Sequence, residues 1–234
     1  MHKANMDKMR DLFVGIDKRI EVEGKGKIVP VNFDNAATTP AFKRVLKRVM
    51  ECSEMYGSIA RGDGQKSQFC SDTYEECRNY IMNYFNAPQN LYTTIFTDNT
   101  TMGINRLSNI LIKDRDDIVI TTRMEHHSND LPWRGKCNLK YLEVDDNGID
   151  DLEEMLIKYC GKVKYVTISG ASNVTGYLND IRRVAKLAHK YGAHIIVDGA
   201  QLVAHKKVSM LGVKSDENID YLIFSAHKMY APFG

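Results

Sequence analysis

The feature that most constrains this chain is an alternation of short apolar runs with helical patterns, which begins at residue 93. Predicted strands cover residues 93–96, 117–121, 139–143, 163–168, 194–197 and 220–224, and predicted helices cover 100–111, 149–159 and 181–191. Consecutive parallel strands need a crossover connection, which is usually a helix, so this order predicts a mostly parallel sheet covered on both faces. We therefore expect an α/β fold with three layers, α/β/α.

The chain before residue 93 is more irregular. We predict a helix at 7–14, a turn at 24–27, a short extended segment at 28–33, and two helices, one with an apolar stripe from Phe42 to Val49 and one with a stripe from Phe69 to Tyr84. This predicts residues 1–33 as an N-terminal helix and entry segment, and 34–234 as one large domain. The chain stops soon after the last predicted strand, so we expect that domain to be incomplete at its carboxyl end.

Composition narrows the function classes. With 234 residues, 43% of them hydrophobic, the chain can bury a sizeable core. A balance of 32 basic and 30 acidic residues gives no reason to expect nucleic acid or an anionic membrane as a partner. No apolar stretch reaches membrane-spanning length, and the first residues do not resemble a signal peptide. Five cysteines without a CxxC pair fit a reducing compartment, so we expect a cytoplasmic protein.

Two of the predicted strands end in ionisable residues. Asp198 follows the strand 194–197, and Lys228 lies just after the strand 220–224. In an open parallel sheet, ligands bind at the carboxyl edge. A lysine there can form a Schiff base, and a nearby aspartate can hold the protonated ring nitrogen of pyridoxal phosphate. Either residue could instead cap a helix or face solvent.

Other predicted strand ends carry further polar groups. Thr100 and Thr101 open a helix whose amino end could bind phosphate, or they could belong to an ordinary N-cap. His126 could stack on a planar cofactor or move a proton, or could be a loop residue. Asn173 lies in a Gly-containing loop and could donate to a ligand oxygen or serve as a turn residue. His126 and His127 are adjacent and point to opposite sides, so we expect no metal site.

Four segments resemble the ordered motifs of the class V aminotransferase family of fold type I enzymes, and most closely its cysteine desulfurase and selenocysteine lyase branch. They are 34–39 (DNAATT), 124–129 (MEHHSN), 197–201 (VDGAQ) and 224–234 (FSAHKMYAPFG). The resemblance covers about residues 30 to 234. It implies the large domain of an aspartate aminotransferase-like fold with pyridoxal 5'-phosphate as cofactor.

The resemblance also implies residue roles. Lys228 would be the Schiff-base lysine and Asp198 the partner of the pyridine nitrogen, with His126 as the third catalytic residue, stacked on the ring. The remaining cofactor-binding residues would be Gln201 near the ring hydroxyl, Asn173 facing the substrate or the ring oxygen, and Thr100, Thr101, Ser225 and His227 around the phosphate.

The chain departs from the family pattern at three positions. Ala226 and Ala231 stand where the family usually has glycine, and Ala60 stands where it has a histidine. The nucleophilic cysteine and the carboxylate-binding arginine of a desulfurase would lie beyond Gly234.

Three functions therefore stay open. They are cleavage of a Cβ–S or Cβ–Se bond of an amino acid, transamination or epimerisation of another amino acid, and a non-catalytic domain of the same fold. The resemblance further implies a homodimer, with Arg61 and Gly62 near the neighbouring subunit's cofactor, and, for a desulfurase, a sulfur-acceptor protein. We expect the 234-residue chain by itself to be inactive.

Overall fold

Five parallel strands form the main sheet of the computed structural model, which describes residues 8–60, 63–144, 149 and 151–233. The strands are β3 (Ile118–Thr122), β4 (Asn138–Leu142), β5 (Val163–Ser169), β6 (His194–Asp198) and β7 (Tyr221–Ile223). Their order across the sheet is β4-β3-β5-β6-β7. All four pairings are parallel, as the alternation of strands and helices predicts.

The strands of the main sheet are rich in apolar residues because other parts of the chain cover them and shield them from water. All five residues of β3 are buried, and so are the last four of β6. Ile104, Val119, Trp133 and Ile196 form a fully buried core cluster that joins a helix to the sheet. Each such side chain contributes about 1.5–3 kcal/mol when it leaves water.

Helices connect and flank these strands. Their bounds are Lys43–Glu54, Gln65–Tyr84, Thr100–Leu111, His127–Asp130, Leu152–Lys158, Ile181–Lys190 and Leu202–His205. The Asp180 side chain accepts from the N–H groups of Arg182 and Arg183 and thereby caps the helix Ile181–Lys190, and Gly192 follows it at a φ of 78°. Within the described ranges, no helix combines the length and apolar character that crossing a bilayer would require.

The described residues form two compact units. One contains the residues up to Cys77 together with those from Ser225 onward, and the other is Arg78–Phe224, which holds the main sheet. In the first unit, β1 (Ile20–Val22) pairs antiparallel with β2 (Gly26–Ile28). The rings of Phe13, Phe42 and Tyr230 pack together there, with centroids 4.8–5.5 Å apart. The predicted division between residues 33 and 34 stays a prediction.

One predicted strand is wrong. Residues 93–96 are extended coil and join no ladder in the described structure. The Arg78 side chain forms hydrogen bonds with their polar groups instead. Its Nε donates to the Thr94 carbonyl (2.9 Å), and its Nη2 donates to the Thr93 hydroxyl (2.7 Å). Ile95 is 70% exposed, so the apolar residues of this segment do not mark a buried face.

Four other predictions hold only in part. Of the predicted helix 7–14, residues 8–10 are helical, residues 11–14 are not, and residue 7 lies outside the described residues. The predicted extended segment 28–33 contributes only Ile28 to a strand, and the predicted turn is tighter, spanning 23–25. The predicted helix 149–159 is observed as Leu152–Lys158, and residue 150 lies outside the described residues.

Gly199 lets the chain leave β6 closely packed against β7. Its N–H donates to the Ile223 carbonyl (2.7 Å). A Cβ at this position would lie 2.7 Å from Leu222 Cδ1 and 3.2 Å from both the Ile223 carbonyl oxygen and Val203 Cγ1. The residue after Asp198 therefore has no room for a side chain.

We expect Gly199→Ala to lower the free energy of unfolding by about 1–3 kcal/mol, because overpacking forces neighbouring atoms apart. Denaturant unfolding followed by Trp133 fluorescence measures this loss. Gly64→Ala is the matched control, since a Cβ there would meet nothing within 4 Å. Equal unfolding free energies for the two variants would contradict this account of Gly199.

Candidate functional site

Asp198 is a buried carboxylate at the carboxyl edge of the sheet. It is the last residue of β6, is 4% exposed, and pairs with Ser169 of β5 on one side and Ile223 of β7 on the other. Its carbonyl accepts from the Gly170 N–H (2.8 Å), and its Oδ1 accepts from the Ala200 N–H (3.0 Å). Backbone contacts on both sides thus fix the position of the carboxylate.

A second acidic group, Glu125, lies near Asp198. The carboxylate of Glu125 accepts three hydrogen bonds: from the Thr122 hydroxyl (2.6 Å), the Asn129 amide (2.7 Å) and the Ser169 hydroxyl (2.8 Å). Asn129 Oδ1 in turn accepts from the Thr167 hydroxyl (2.7 Å). This polar network, which we call the Glu125 network, joins the end of β3 to the end of β5.

Burial dominates the ionisation of Glu125. It raises the pKa of this carboxyl from 4.5 to about 7; the hydrogen bonds from Thr122, Asn129 and Ser169 oppose the shift, and the negative charge of Asp198 adds to it. Glu125 therefore changes charge near neutral pH, close to a second carboxylate.

His126 is held by the start of a short helix. As the N-cap of His127–Asp130, it accepts the Ser128 N–H at Nδ1 (3.1 Å), and the Ser128 hydroxyl lies 2.7 Å from the same nitrogen. Since Nδ1 accepts, a neutral ring carries its proton on Nε2. The residue is exposed, so the ring is available to a ligand.

Gln201 follows Asp198 by three residues and is 7% exposed. It directly precedes the helix Leu202–His205. The motif 198–201 therefore places a buried carboxylate and a buried amide within one turn of chain.

Thr100 and Thr101 begin the helix Thr100–Leu111, with Thr100 buried and Thr101 exposed. Asn99 is the N-cap, and its side chain accepts the Met102 N–H at 2.9 Å. The ordinary N-cap is thus present. It occupies the Met102 N–H, so an anion at this helix end would have to use other donors of the first turn.

Asn173 is exposed in the loop after β5. Ser172 organises this loop, because its hydroxyl accepts the N–H groups of Val174 (3.3 Å) and Thr175 (3.2 Å). The positive φ of the loop falls on Gly176, at 73°, and not on Asn173. Asn173 is therefore not the left-handed turn residue that was one of its two expected roles.

In the other unit, Lys228 ends a short 3-10 helix, Ala226–Lys228. Thr39 holds this helix: its hydroxyl and its N–H both donate to the His227 carbonyl, at 2.9 and 3.1 Å, and its Oγ1 accepts the Tyr230 N–H at 2.9 Å. The Thr38 hydroxyl lies 3.0 Å from His227 Nδ1. Segment 34–39 thus supports the lysine loop, which we define as residues 225–231.

The lysine loop accommodates its two alanines. Ala231 N–H donates to the Ala226 carbonyl (3.2 Å), and the positive φ needed to end the helix falls on Tyr230, at 66°. Neither alanine has a positive φ, so the absence of glycine at these positions imposes no backbone strain. Ala60, by contrast, has a φ of 55°, and its neighbours Arg61 and Gly62 lie outside the described residues.

Ser225 is buried at the start of the lysine loop, 6% exposed.

Burial lowers the pKa of His227 from its ordinary value of 6.5, and the positive charge of Lys228 lowers it further. In this chain both effects favour the neutral imidazole.

The structure therefore distributes the predicted site residues over the two units. His126 and Asn173 follow the carboxyl ends of β3 and β5, and Asp198 is the last residue of β6. All three belong to the unit Arg78–Phe224, which also holds Thr100, Thr101 and Gln201. Ser225, His227 and Lys228 belong to the other unit, with Thr38 and Thr39.

Comparison with known proteins identifies the family. The sequence profile of the aminotransferase class-V family matches residues 31–234. The chain belongs to this family. Its curated relatives include a "Probable cysteine desulfurase" of Borreliella burgdorferi, 33% identical over 99% of this chain and 56% of that protein.

Solved structures of cysteine desulfurases have the same fold. The enzyme CsdA of Escherichia coli superposes with a TM-score of 0.68 at 26% identity, covering 86% of this chain and 51% of that one. The apo enzyme of Thermococcus onnurineus superposes with a TM-score of 0.71 at 29% identity, covering 84% of this chain and 50% of that one. The chain spans about half the length of the relatives it matches.

Two groups of residues were not singled out from the sequence. One is the Glu125 network, although Glu125 and Asn129 are four residues apart within the class V motif 124–129 and could have been paired on that spacing. The other is Thr39, whose partners His227 and Tyr230 are close only in the folded chain. No local pattern indicates the second group.

We expect Glu125→Gln to flatten the pH dependence of stability. The pKa of Glu125 is about 7 in the folded state and 4.5 ordinarily, so a proton bound to Glu125 stabilises the folded state. This stabilisation is fully present below pH 4.5 and is lost as the pH rises to about 7. The loss is roughly 3 kcal/mol at most. Chemical denaturation between pH 4.5 and 8 measures it, and the exposed Glu76→Gln should keep the wild-type slope. An unchanged slope in Glu125→Gln would rule out Glu125 as the titrating group.

We expect Thr39→Val to loosen the lysine loop, because it removes one hydroxyl that serves both the His227 carbonyl and the Tyr230 N–H. The His227 carbonyl keeps the Thr39 N–H, and the two lost hydrogen bonds are part-buried and exposed, so each is worth about 0.5–1.5 kcal/mol. Hydrogen–deuterium exchange in a peptide spanning 225–231 should become faster, whereas the exposed Thr38→Val should change it less. Identical exchange in wild type and Thr39→Val would show that this hydroxyl does not support the loop.

Proposed function

We propose that this chain is the cofactor-binding part of a pyridoxal phosphate-dependent enzyme of the cysteine desulfurase type, which releases sulfur or selenium from the β-carbon of an amino acid. The observation that carries the proposal is the buried carboxylate of Asp198, fixed by backbone contacts at the carboxyl edge of a parallel sheet. The names of the family's curated relatives and solved structures support the reaction type.

The donor set fits pyridoxal 5'-phosphate. A cofactor with a basic ring nitrogen, an aldehyde and a phosphate needs a carboxylate, an amine and several hydrogen-bond donors. Asp198 would supply the carboxylate and Lys228 the amine, while Thr100, Thr101, Ser225 and His227 would surround the phosphate. When bound, the cofactor supplies an electron sink for amino-acid chemistry.

Each residue would have a distinct task. Asp198 would keep a proton on the ring nitrogen, because a negative charge in a buried position favours the cationic partner. Lys228 would hold the aldehyde carbon covalently. His126, anchored at Nδ1 by Ser128, would lie against the ring face, and Gln201 would donate to the ring hydroxyl. Asn173 would bind an oxygen of the substrate or the ring.

His227 would respond to the phosphate. Without an anion, burial and Lys228 lower the pKa of His227 and favour its neutral form. A phosphate beside it would counter both effects, since a nearby negative charge favours the imidazolium. His227 could then offset part of the phosphate charge.

We further propose a homodimer, an amino-acid substrate and, for a desulfurase reaction, a protein that accepts the sulfur. The family resemblance supports all three, and the names of the relatives support the substrate and the acceptor. A cytoplasmic location is supported by the five cysteines, all of which are free thiols: Cys52, Cys70, Cys77, Cys137 and Cys160.

Asp198→Asn tests the proposal in the protein that contains this chain. The amide should leave cofactor binding largely intact, seen as a visible absorbance band, and should lower the rate of sulfide release from cysteine by orders of magnitude. The reason is that a neutral amide cannot keep the ring nitrogen protonated. Near-normal turnover in this variant would remove Asp198 from the proposed role.

Borohydride reduction followed by peptide mapping tests Lys228 separately. The cofactor should become fixed on Lys228 in wild type, and Lys228→Ala should abolish the labelling. Lys207→Ala, an exposed lysine on the other unit, is the control and should label normally. Absence of both the absorbance band and the label in wild type would refute the cofactor assignment.

A further inference from the structure

Three metal-ligating side chains meet at the amino end of the main sheet. They are His189 near the end of the helix Ile181–Lys190, His194 at the start of β6, and Asp220 directly before β7. One ligand atom from each lies within 4.8 Å of the other two. All three residues belong to the unit Arg78–Phe224.

The hydrogen bonds of His189 leave one nitrogen aimed at the carboxylate. Its Nδ1 lies 2.8 Å from the Asp216 carbonyl oxygen, which can only accept, so Nδ1 carries a proton. Its Nε2 lies 2.8 Å from Asp220 Oδ2, so this nitrogen faces the carboxylate and the third side chain of the cluster.

This arrangement has the outer contacts of a metal site. Metal-bound histidines usually donate their other ring N–H to a carbonyl or carboxylate, which orients the ring. The Asp216 carbonyl has that position relative to His189. The carboxylate of Asp220 is oriented as well, because its Oδ2 accepts the Ile195 N–H at 2.8 Å.

The distances suit a small divalent ion. Asp220 Oδ2 is 2.8 Å from His189 Nε2, and Asp220 Oδ1 is 3.2 Å from His194 Nδ1. Two ligands placed tetrahedrally at about 2.0–2.1 Å from zinc are roughly 3.3 Å apart. Binding would therefore change the two Asp220 separations by only a few tenths of an ångström. The three ligand atoms lie within 4.8 Å of one another, so the two imidazoles would approach each other by about 1.5 Å at most.

The surroundings of the cluster allow a metal ion to enter from solvent and favour its positive charge. The His194 side chain is 57% exposed, which leaves room for water ligands, while His189 and Asp220 are about a quarter exposed or less. His189 lies in the last turn of its helix, where the helix dipole favours a cation. His194 and Asp198 are the first and last residues of β6, about 13 Å apart along the strand, so this cluster is separate from the candidate cofactor site.

We propose that His189, His194 and Asp220 bind a divalent transition-metal ion of the zinc class. Two imidazoles and one carboxylate are ligands that such ions accept. The ion would join the end of one helix to the starts of β6 and β7. The expectation of no metal site from the sequence considered only the cysteines and the pair His126 and His127, and did not include this cluster.

Calorimetric titration of the chelator-treated chain with Zn²⁺ tests the proposal, and cobalt substitution reports on the ligands. We expect one saturable site, a rise in Tm with Zn²⁺, and a change in the His189 ring resonances in NMR spectra. His194→Ala should weaken binding roughly tenfold or more and remove the rise in Tm. His205→Ala is the matched control, because His205 is an exposed histidine outside the cluster, and it should bind like wild type.

The experiment must distinguish metal bound by the cysteines from metal bound by the histidines. A Co²⁺ ion bound by thiolates shows strong near-ultraviolet charge-transfer bands, whereas imidazole and carboxylate ligands give only the weaker visible bands that we expect. Thiolate bands at the saturable site, or wild-type affinity in His194→Ala, would overturn the proposal. His194→Gln provides a second variant with a bulkier side chain if His194→Ala unfolds.

Discussion

The candidate site depends on the parallel ladder between β5 and β6. Its register pairs Ser169 with Asp198, so the hydroxyl that donates to Glu125 and the carboxylate proposed to bind the cofactor ring lie side by side. A shift of one residue would turn each of these side chains to the opposite face of the sheet. The buried apolar residues before them resist such a shift, because they would have to exchange faces as well.

The Glu125 network ties the ends of β3 and β5 together by polar contacts where the apolar core ends. Buried polar networks of this kind are stabilising only when every member is satisfied. Here Thr122, Asn129 and Ser169 each donate to the carboxylate, and Thr167 donates to Asn129. His126 is adjacent to Glu125 in the chain, so the anchoring of the one also restricts the backbone of the other.

The sequence was sufficient where local pattern decides structure, and insufficient where distant residues do. Five of the six predicted strands are present, because their apolar runs pair in one sheet, where those of β3, β5 and β6 are largely buried. The sixth, 93–96, has the residue types of a strand, but its polar groups form hydrogen bonds with the side chain of Arg78. The candidate site residues Asp198 and Lys228 were proposed from their positions at the ends of strands, and their roles stay predictions. The clusters around Glu125 and around Asp220 assemble from three or more elements, and nothing in the local spacing of His189, His194 and Asp220 indicates the second of them.

The contacts of Thr39 have a consequence for the order of folding. Its hydrogen bond to His227 joins residues 188 positions apart in the chain. Closing so long a loop is entropically costly, and contacts of this range generally form late. During synthesis the segment 34–39 leaves the ribosome long before its partner exists. The lysine loop can reach its final conformation only after nearly all of this chain has been made, and by then every strand of the main sheet has been synthesised.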